Sequence, residues 1–313
     1  MKMRSLGQSS LQVAPLAFGG NVFGWTVNET ESFKLLDMFM EKGLNLIDTA
    51  DMYSNWVPGN KGGESETIIG KWLKQSGKRS QVVLASKVGL DMGPGKQGLS
   101  RKYIIKAVED SLKRLQTDYI DLYQSHRDDP NTTVLETLSA FDELIKAGKV
   151  RYIGASNFSP ERLLESLTTA QTHCLPRYVS LQPRYNLYDR EDFENNYAEL
   201  CLNQKIGVIS YYSLASGFLT GKYRSEADLN KGQRGAGVKS YLNPKGMNIL
   251  SKLDKLAKEY QSTPAQVSLA WLMARPSVTA TLASATNLSQ LEDIIRAVEI
   301  KLNQEALDFL NEY

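Results

Sequence analysis

The chain has 313 residues, 42% of them hydrophobic and 23% charged, an ordinary globular composition long enough for one large α/β barrel or two average domains. Its 37 basic and 35 acidic residues are interspersed and leave a formal charge of +2, without the basic footprint of a nucleic-acid binder; small ligands, partly anionic ones included, stay open. Two cysteines, Cys174 and Cys201, and two histidines, His126 and His173, fit neither a disulfide framework nor a zinc-ligand spacing, and there is no apolar leader or membrane-spanning run, so a soluble cytoplasmic protein without a metal site is expected.

Residues 1–14 alternate weakly around Gly7 and Gln8 and read as a short hairpin, after which 14–18 reads as a buried strand ending in Gly19-Gly20, a pair that permits close backbone approach to a ligand. A helix over 30–42, with Phe33, Leu35, Leu36, Met38, Phe39 and Met40 on a broad apolar stripe, stops at Gly43, and a strand over 44–47 follows at once. The rhythm repeats as helix 64–74, strand 82–87, helix 101–115, strand 119–124, helix 134–147 and strand 150–155. It continues as helix 160–171, strand 178–182, helix 192–203, strand 208–211, helices 248–260 and 264–275, and strand 278–283. Eight strands alternating with helices, with no linker or composition break over 1–313, favour one closed (β/α)8 TIM barrel as a single domain. Two doubly wound domains lack support, since no Gly-x-Gly-x-x-Gly joins a strand to a helix. The longest irregular stretch, 217–246, reads as a lid or binding loop at the top.

In such a barrel, polar residues at the carboxyl ends of different strands converge on one mouth although the sequence scatters them. They are Asp48 and Tyr53 after the second strand, Lys87 after the third, His126, Arg127 and Asp128 after the fourth, Ser156 and Asn157 after the fifth, Gln182 after the sixth, and Tyr211 and Tyr212 after the seventh. Singly, each has a bland reading, Lys87 as a strand-edge charge or His126 as a satisfied loop histidine; jointly they suit carbonyl chemistry. A lysine ammonium lowers the pKa of a neighbouring phenol, Asp48 is able to hold Lys87, and a histidine is able to donate to a carbonyl oxygen. No nucleophile with its own base is present, so reduction needs a hydride from elsewhere, for which a reduced nicotinamide is the obvious source.

The segments GLNLIDTADMY (43–53), DYIDLYQSH (118–126), KVRYIGASN (149–157) and GFLTGKY (217–223), in this order, resemble the signature blocks of the aldo-keto reductase superfamily, and the resemblance covers essentially the full chain. It implies a barrel with the hairpin closing its bottom, long loops at its top and NADPH, or possible NADH, bound there. On this resemblance Tyr53 is the general acid, Lys87 and Asp48 its tuners and His126 the group that orients a small-molecule carbonyl substrate. Ser156, Asn157 and Gln182 are expected to hold the nicotinamide carboxamide, with Tyr211 stacked on the ring and Leu214, Ser216, Gly217, Leu219 and Lys222 along the pyrophosphate. Gly20, Asp48, Ser284, Thr286 and Gln290 complete the expected cofactor contacts, and Phe23, Trp25, Trp56 and Arg127, with Tyr53 and His126, the expected substrate contacts.

The chain departs from the family's usual pattern in two places. It has Tyr211-Tyr212-Ser213-Leu214 where many bacterial relatives carry Tyr-Ser-Pro-Leu. It has Ala285-Thr286 where relatives often place an Arg or Lys to pair with an adenosine 2′-phosphate, so Lys222, Lys239 and Arg296 are the basic side chains left to compensate. The superfamily also includes nucleotide-binding subunits of potassium channels, so a regulatory subunit with slow redox activity stands as the alternative to a carbonyl reductase.

Overall fold

In the computed structural model, which describes residues 1–312, the chain opens with an antiparallel hairpin of β1 (Arg4–Ser5) and β2 (Gln12–Val13). Eight parallel strands follow: β3 (Leu16–Gly19), β4 (Leu46–Asp48), β5 (Val83–Val88), β6 (Ile120–Ser125), β7 (Val150–Ser156), β8 (Tyr178–Gln182), β9 (Gly207–Ser210) and β10 (Val278–Ala283). Each pairs with the next, and β10 returns to β3, so the sheet closes into a barrel without an edge. All their residues but Arg151 and Tyr152 of β7 are buried, which is why these strands are largely apolar runs rather than alternating ones.

Outside the barrel lie α1 (Glu29–Glu41), α2 (Glu64–Ser76), α3 (Arg101–Leu115), α4 (Val134–Lys146) and α5 (Pro160–Thr172). They are followed by α6 (Glu191–Asn196), α7 (Ala198–Asn203), α8 (Pro244–Glu259), α9 (Pro264–Met273), α10 (Leu288–Arg296) and α11 (Gln304–Asn311). Many of their starts are written locally: Asn28, Ser100, Thr133, Ser159, Asn243, Thr263, Asn287 and Asn303 sit in extended backbone and accept a hydrogen bond from the N–H three residues on. All of these caps but Thr263 and Asn303, which lie between helical segments, follow the loops at the carboxyl ends of strands and fix where those loops end.

Three expectations change. The helix expected over 192–203 breaks at Tyr197, whose backbone leaves the helical region while its hydroxyl donates to Phe158 O at 3.1 Å. The irregular stretch 217–246 contains three 3-10 segments, Ala215–Thr220, Glu226–Lys231 and Gly235–Tyr241, packed as a strap over the mouth, and α8 begins within it at Pro244. Beyond β10 the chain adds α10 and α11, for which no helix was expected, although Leu291, Ile294 and Ile295 turn one apolar face inward.

The hairpin closes the amino-terminal end of the barrel. Leu6, Leu11 and Val13 join Leu46, Val83, Leu122, Val179, Ile209 and Ala280 in one buried cluster inside the strands. Gly7 makes the turn with φ of +56° and lies so close to β8 that a Cβ there would stand 2.1 Å from Val179 O. Because Leu6 is fully buried in this plug, Leu6→Ala is expected to destabilise the fold by about 2–5 kcal/mol. Urea unfolding followed by circular dichroism measures this, and a change of a few tenths would mean the plug carries little of the stability.

Candidate active site

The carboxyl ends of the strands open into a cleft of about 960 Å³, walled on one side by the strap. Its centre is the carboxylate of Asp48, at the end of β4. Asp48 Oδ2 accepts from Lys87 Nζ at 2.5 Å and from the Tyr53 hydroxyl at 3.4 Å, while Oδ1 accepts from Gln182 Nε2 at 2.8 Å and Gln124 Nε2 at 3.1 Å. Lys87 has its three protons placed: Asp48, Thr49 O at 2.9 Å and Tyr53 Oη at 2.7 Å. Both members of the ion pair are buried, at 1% and 0% exposure, so four strands must be in register to build this one set of contacts.

Electrostatics at the phenol run opposite to the expectation from Lys87 alone. Burial first, then the Asp48 carboxylate, pushes the Tyr53 pKa well above the usual tyrosine value, with Arg234 opposing. Tyr53 is therefore a neutral O–H with a cation on its oxygen. Burial also lowers Lys87, against the pull of Asp48. His126 stands edge-on to Tyr53, ring centroids 5.9 Å apart, and burial, with the charges of Lys87 and Arg127, drops its pKa well below the usual histidine range. A neutral imidazole and a neutral phenol thus face the same point, an arrangement able to donate two hydrogen bonds to one oxygen and to pass it a proton.

Next to this centre, Asn157 takes a left-handed backbone (φ +55°) that brings its amide to the cleft; Nδ2 donates to His126 O at 3.0 Å and Ser156 Oγ at 3.1 Å, and Oδ1 accepts from the Tyr211 hydroxyl at 2.7 Å. Ser156 Oγ is itself bonded to Gln182 O. Leu214, Ser216, Gly217, Lys222, Ser284, Thr286 and Gln290 continue along the cleft, with Trp25 and Trp56 set edge to face at its outer rim.

Not every expected contact is in place. Gly20 faces Ser65 and Asp48 O rather than the cleft, and Gly19 lines it instead; β3 ends at Gly19 and the chain turns into a 3-10 segment at Gly20. Phe23 is fully buried, stacked on Phe18 at 5.2 Å, and Leu219 is a core residue of the strap. Arg127 is exposed and does not line the cleft. Lys87 reaches the cleft only through Tyr53. Of the basic side chains considered for a 2′-phosphate, Lys239 pairs with Glu226 and Arg296 with Glu292 on the outside; Lys222 lines the cleft, together with Lys231 and Arg234, which had not been picked out. Arg234 lies over the Trp25 ring at 5.4 Å, and with the Asn21 amide oxygen turned toward it, its guanidinium donates there at 3.0 Å. Gln124 was also missed, although it precedes His126 by two positions and so shares its inward face.

Fold and site together define a (β/α)8 barrel protein with a buried Asp48–Lys87 pair bonded to a phenol at its mouth. The chain belongs to the aldo/keto reductase family, an oxidoreductase-type group, and the family model, described as Aldo/keto reductase family, matches residues 15–313. The chain is 37% identical over 319 residues to a Bacillus subtilis (strain 168) protein named uncharacterized oxidoreductase YrpG, covering all of this chain and 95% of that one. It is 34% identical over 341 residues to protein tas of Escherichia coli (strain K12), covering 98% and 96% of the two chains. It is also 33% identical over 310 residues to a probable voltage-gated potassium channel subunit beta of Arabidopsis thaliana, covering 96% and 92%.

The burial of His126 has a measurable consequence. With a folded pKa below the unfolded value of about 6.5, the unfolded chain binds the proton more readily, so stability falls as pH drops from about 6.5 toward the folded pKa. His126→Gln is expected to flatten that part of the stability curve, read from urea midpoints at a series of pH values; an unchanged acid slope would show that other groups set it.

Proposed function

We propose that the protein reduces aldehydes or ketones to alcohols with NAD(P)H, with Tyr53 as the general acid. The observation that carries this reading is the protonated Tyr53 hydroxyl in the cleft with the buried Lys87 ammonium 2.7 Å behind its oxygen. The cleft residues suit the cofactor: the Asn157 amide and Ser156 and Gln182 beside it match a carboxamide, the Tyr211 ring is available for stacking, and Gly217, with φ of +95°, keeps the strap backbone open beside Lys222. When bound, the reduced nicotinamide supplies a hydride to the carbonyl carbon.

The chain's own residues do the rest. His126 and Tyr53 donate to the carbonyl oxygen and fix its position. As negative charge develops on that oxygen, Tyr53 transfers its proton there, and Lys87, already bonded to the phenol oxygen, stabilises the tyrosinate that remains. Asp48 keeps Lys87 charged and aimed. Gln124 and Gln182 occupy the other carboxylate oxygen, so it does not compete for the Tyr53 proton. Trp25 and Trp56 at the rim favour substrates with an apolar or planar body.

Tyr53→Phe is expected to lower the rate of carbonyl reduction by roughly 10² to 10⁴-fold while nucleotide affinity changes only a few-fold. The measurement is steady-state oxidation of NADPH and NADH against a panel of aldehydes, ketones and sugars. Retention of more than a tenth of the rate would remove Tyr53 from that role. Absence of turnover by the wild-type protein, with nucleotide still bound, would favour the alternative of a regulatory subunit, in keeping with the potassium channel subunit beta for which the Arabidopsis relative is named.

The reductant in this reading is NADPH with a modest preference over NADH. Thr286 offers only a hydroxyl, already donated to Gln290 Oε1 at 2.9 Å, and the basic groups lining the cleft all come from the strap. Thr286→Arg is expected to tighten NADPH roughly ten- to a hundred-fold and leave NADH nearly unchanged, since only one of the two carries the phosphate. Dissociation constants from fluorescence quenching decide this; equal tightening of both would mean that position 286 does not face the 2′ group.

A further inference from the structure

Two residues before Tyr53 the chain buries a second carboxylate that takes no part in the chemistry above. Asp51 is 2% exposed. Neither oxygen of its carboxylate makes a hydrogen bond of good geometry among the described residues, and the Met52 N–H gives it only weak support. Its backbone N–H donates to Lys87 O at 3.2 Å, which ties it to β5 directly behind the lysine. Beside it, Glu66 of α2 is fully buried; Oε1 accepts from Ser86 Oγ at 2.5 Å and Oε2 from Arg114 Nε at 2.7 Å. The titratable groups facing Asp51 are Glu66 from α2, Arg114 and Tyr103 from α3, Tyr123 from β6, whose buried hydroxyl also lacks a partner among the described residues, and Lys87 from β5.

The charge count decides the state of this cluster. Two buried carboxylates share one guanidinium, which is already bonded to Glu66, and the Lys87 ammonium has its protons on Asp48, Thr49 and Tyr53. Ionising both carboxylates would leave a buried negative charge without a partner, and the carboxyl that lacks donors is the one to keep a proton. Burial and the Glu66 charge both act in that direction on Asp51.

We propose that Asp51 and Glu66 hold one proton between them at neutral pH, carried on Asp51, and that Asp51 releases it to solvent only as pH rises, placing behind Lys87 a negative charge that keeps its ammonium protonated. Asp51 is thus a positioning residue that acts through Lys87 and extends carbonyl reduction to higher pH. The catalytic half of this inference rests on Tyr53 as proton donor with Lys87 charged behind it; the shared proton and its effect on Lys87 do not.

The test therefore reads Lys87 without turnover. In protein labelled at lysine Cε, the Lys87 resonance, assigned by its loss in Lys87→Met, is titrated by NMR in the wild type and in Asp51→Asn, with near-UV circular dichroism to check folding. The midpoint is expected to fall by about one pH unit in Asp51→Asn, the size of one charge acting at short range through a protein interior. The alkaline limb of the reduction rate should move down with it while the neutral plateau stays. An unchanged midpoint overturns the proposal. Infrared spectra give a second reading if Asp51→Asn does not fold: the wild type should show the C=O stretch of a buried carboxylic acid, and Glu66→Gln should abolish it, because Asp51 then ionises against Arg114. Absence of that band in the wild type, or its survival in Glu66→Gln, overturns the shared proton. A protein that shows the Lys87 shift but reduces nothing keeps this inference and loses the proposed function; a reductase whose Lys87 midpoint stays put does the reverse.

Discussion

The buried ion pair of Asp48 and Lys87 is the interaction on which the mouth of the barrel depends. Taking two charges out of water costs several kcal/mol per ion, and attraction between them offsets this only when every remaining donor and acceptor is matched. Here both carboxylate oxygens are matched, by Lys87, Tyr53, Gln124 and Gln182, and so are the three ammonium protons. The matching groups come from β4, β5, β6, β8 and the loop after β4. The pair is therefore tolerable only in a closed barrel, because an open sheet would not bring β4 and β8 to a common axis. The barrel's upper interior is polar around this pair, whereas its lower interior is filled by the aliphatic plug of the hairpin.

The strap is held to the barrel by a different kind of contact. Tyr241 donates to Asp189 at 2.8 Å and accepts from Arg184 at 2.7 Å, linking the last 3-10 segment to the loop after β8, and Asn186 binds both Asp189 and Tyr212 O. At Gly235 a Cβ would stand 1.7 Å from Leu229 O, so the strap folds back on itself more tightly than a side chain permits. A strap with its own close packing presents Lys222, Lys231 and Arg234 to the cleft from a defined frame. Lys222 and Arg234 thus stand on one wall of the cleft, with Lys231 beside them paired to Asp228.

How much of this was legible follows from how each residue is placed. Asp48, Lys87, His126 and Gln182 were readable because each ends a strand, and a barrel converts strand ends into one site. Gln124 obeys the same rule one step earlier, since inward positions recur every second residue, and reading β6 only at its tip passed over it. Gly19 ends β3 and Gly20 begins a 3-10 turn, so a difference of one residue at the strand end decides which of the two glycines lines the cleft. Arg234 and Asn21 come from segments with no period at all, and which side chain of a glycine-rich strap turns inward is set by packing that no local pattern records. Arg127 follows His126 in sequence yet points to solvent, for neighbours on a strand end diverge. The helix α10 was within reach, since Asn287 is a capping residue and the spacing of Leu291, Ile294 and Ile295 is helical.

One physical effect, burial, acts on the two donors at the centre with opposite signs and the same result. It raises the Tyr53 pKa, because the charged form of a phenol is the anion, and lowers that of His126, because the charged form of an imidazole is the cation. Both are therefore neutral across the physiological range, and the one nearby ion pair cancels itself. On the proposed function, a substrate oxygen entering between them meets two neutral hydrogen-bond donors. In that reading negative charge develops on the carbonyl oxygen and, as the proton moves, passes to the phenol oxygen, where the Lys87 ammonium is already in place to stabilise it. Stabilisation confined to the charge-developing state lowers the barrier without tightening the ground state, and on the proposed function that is the task of neutral donors backed by one compensated cation.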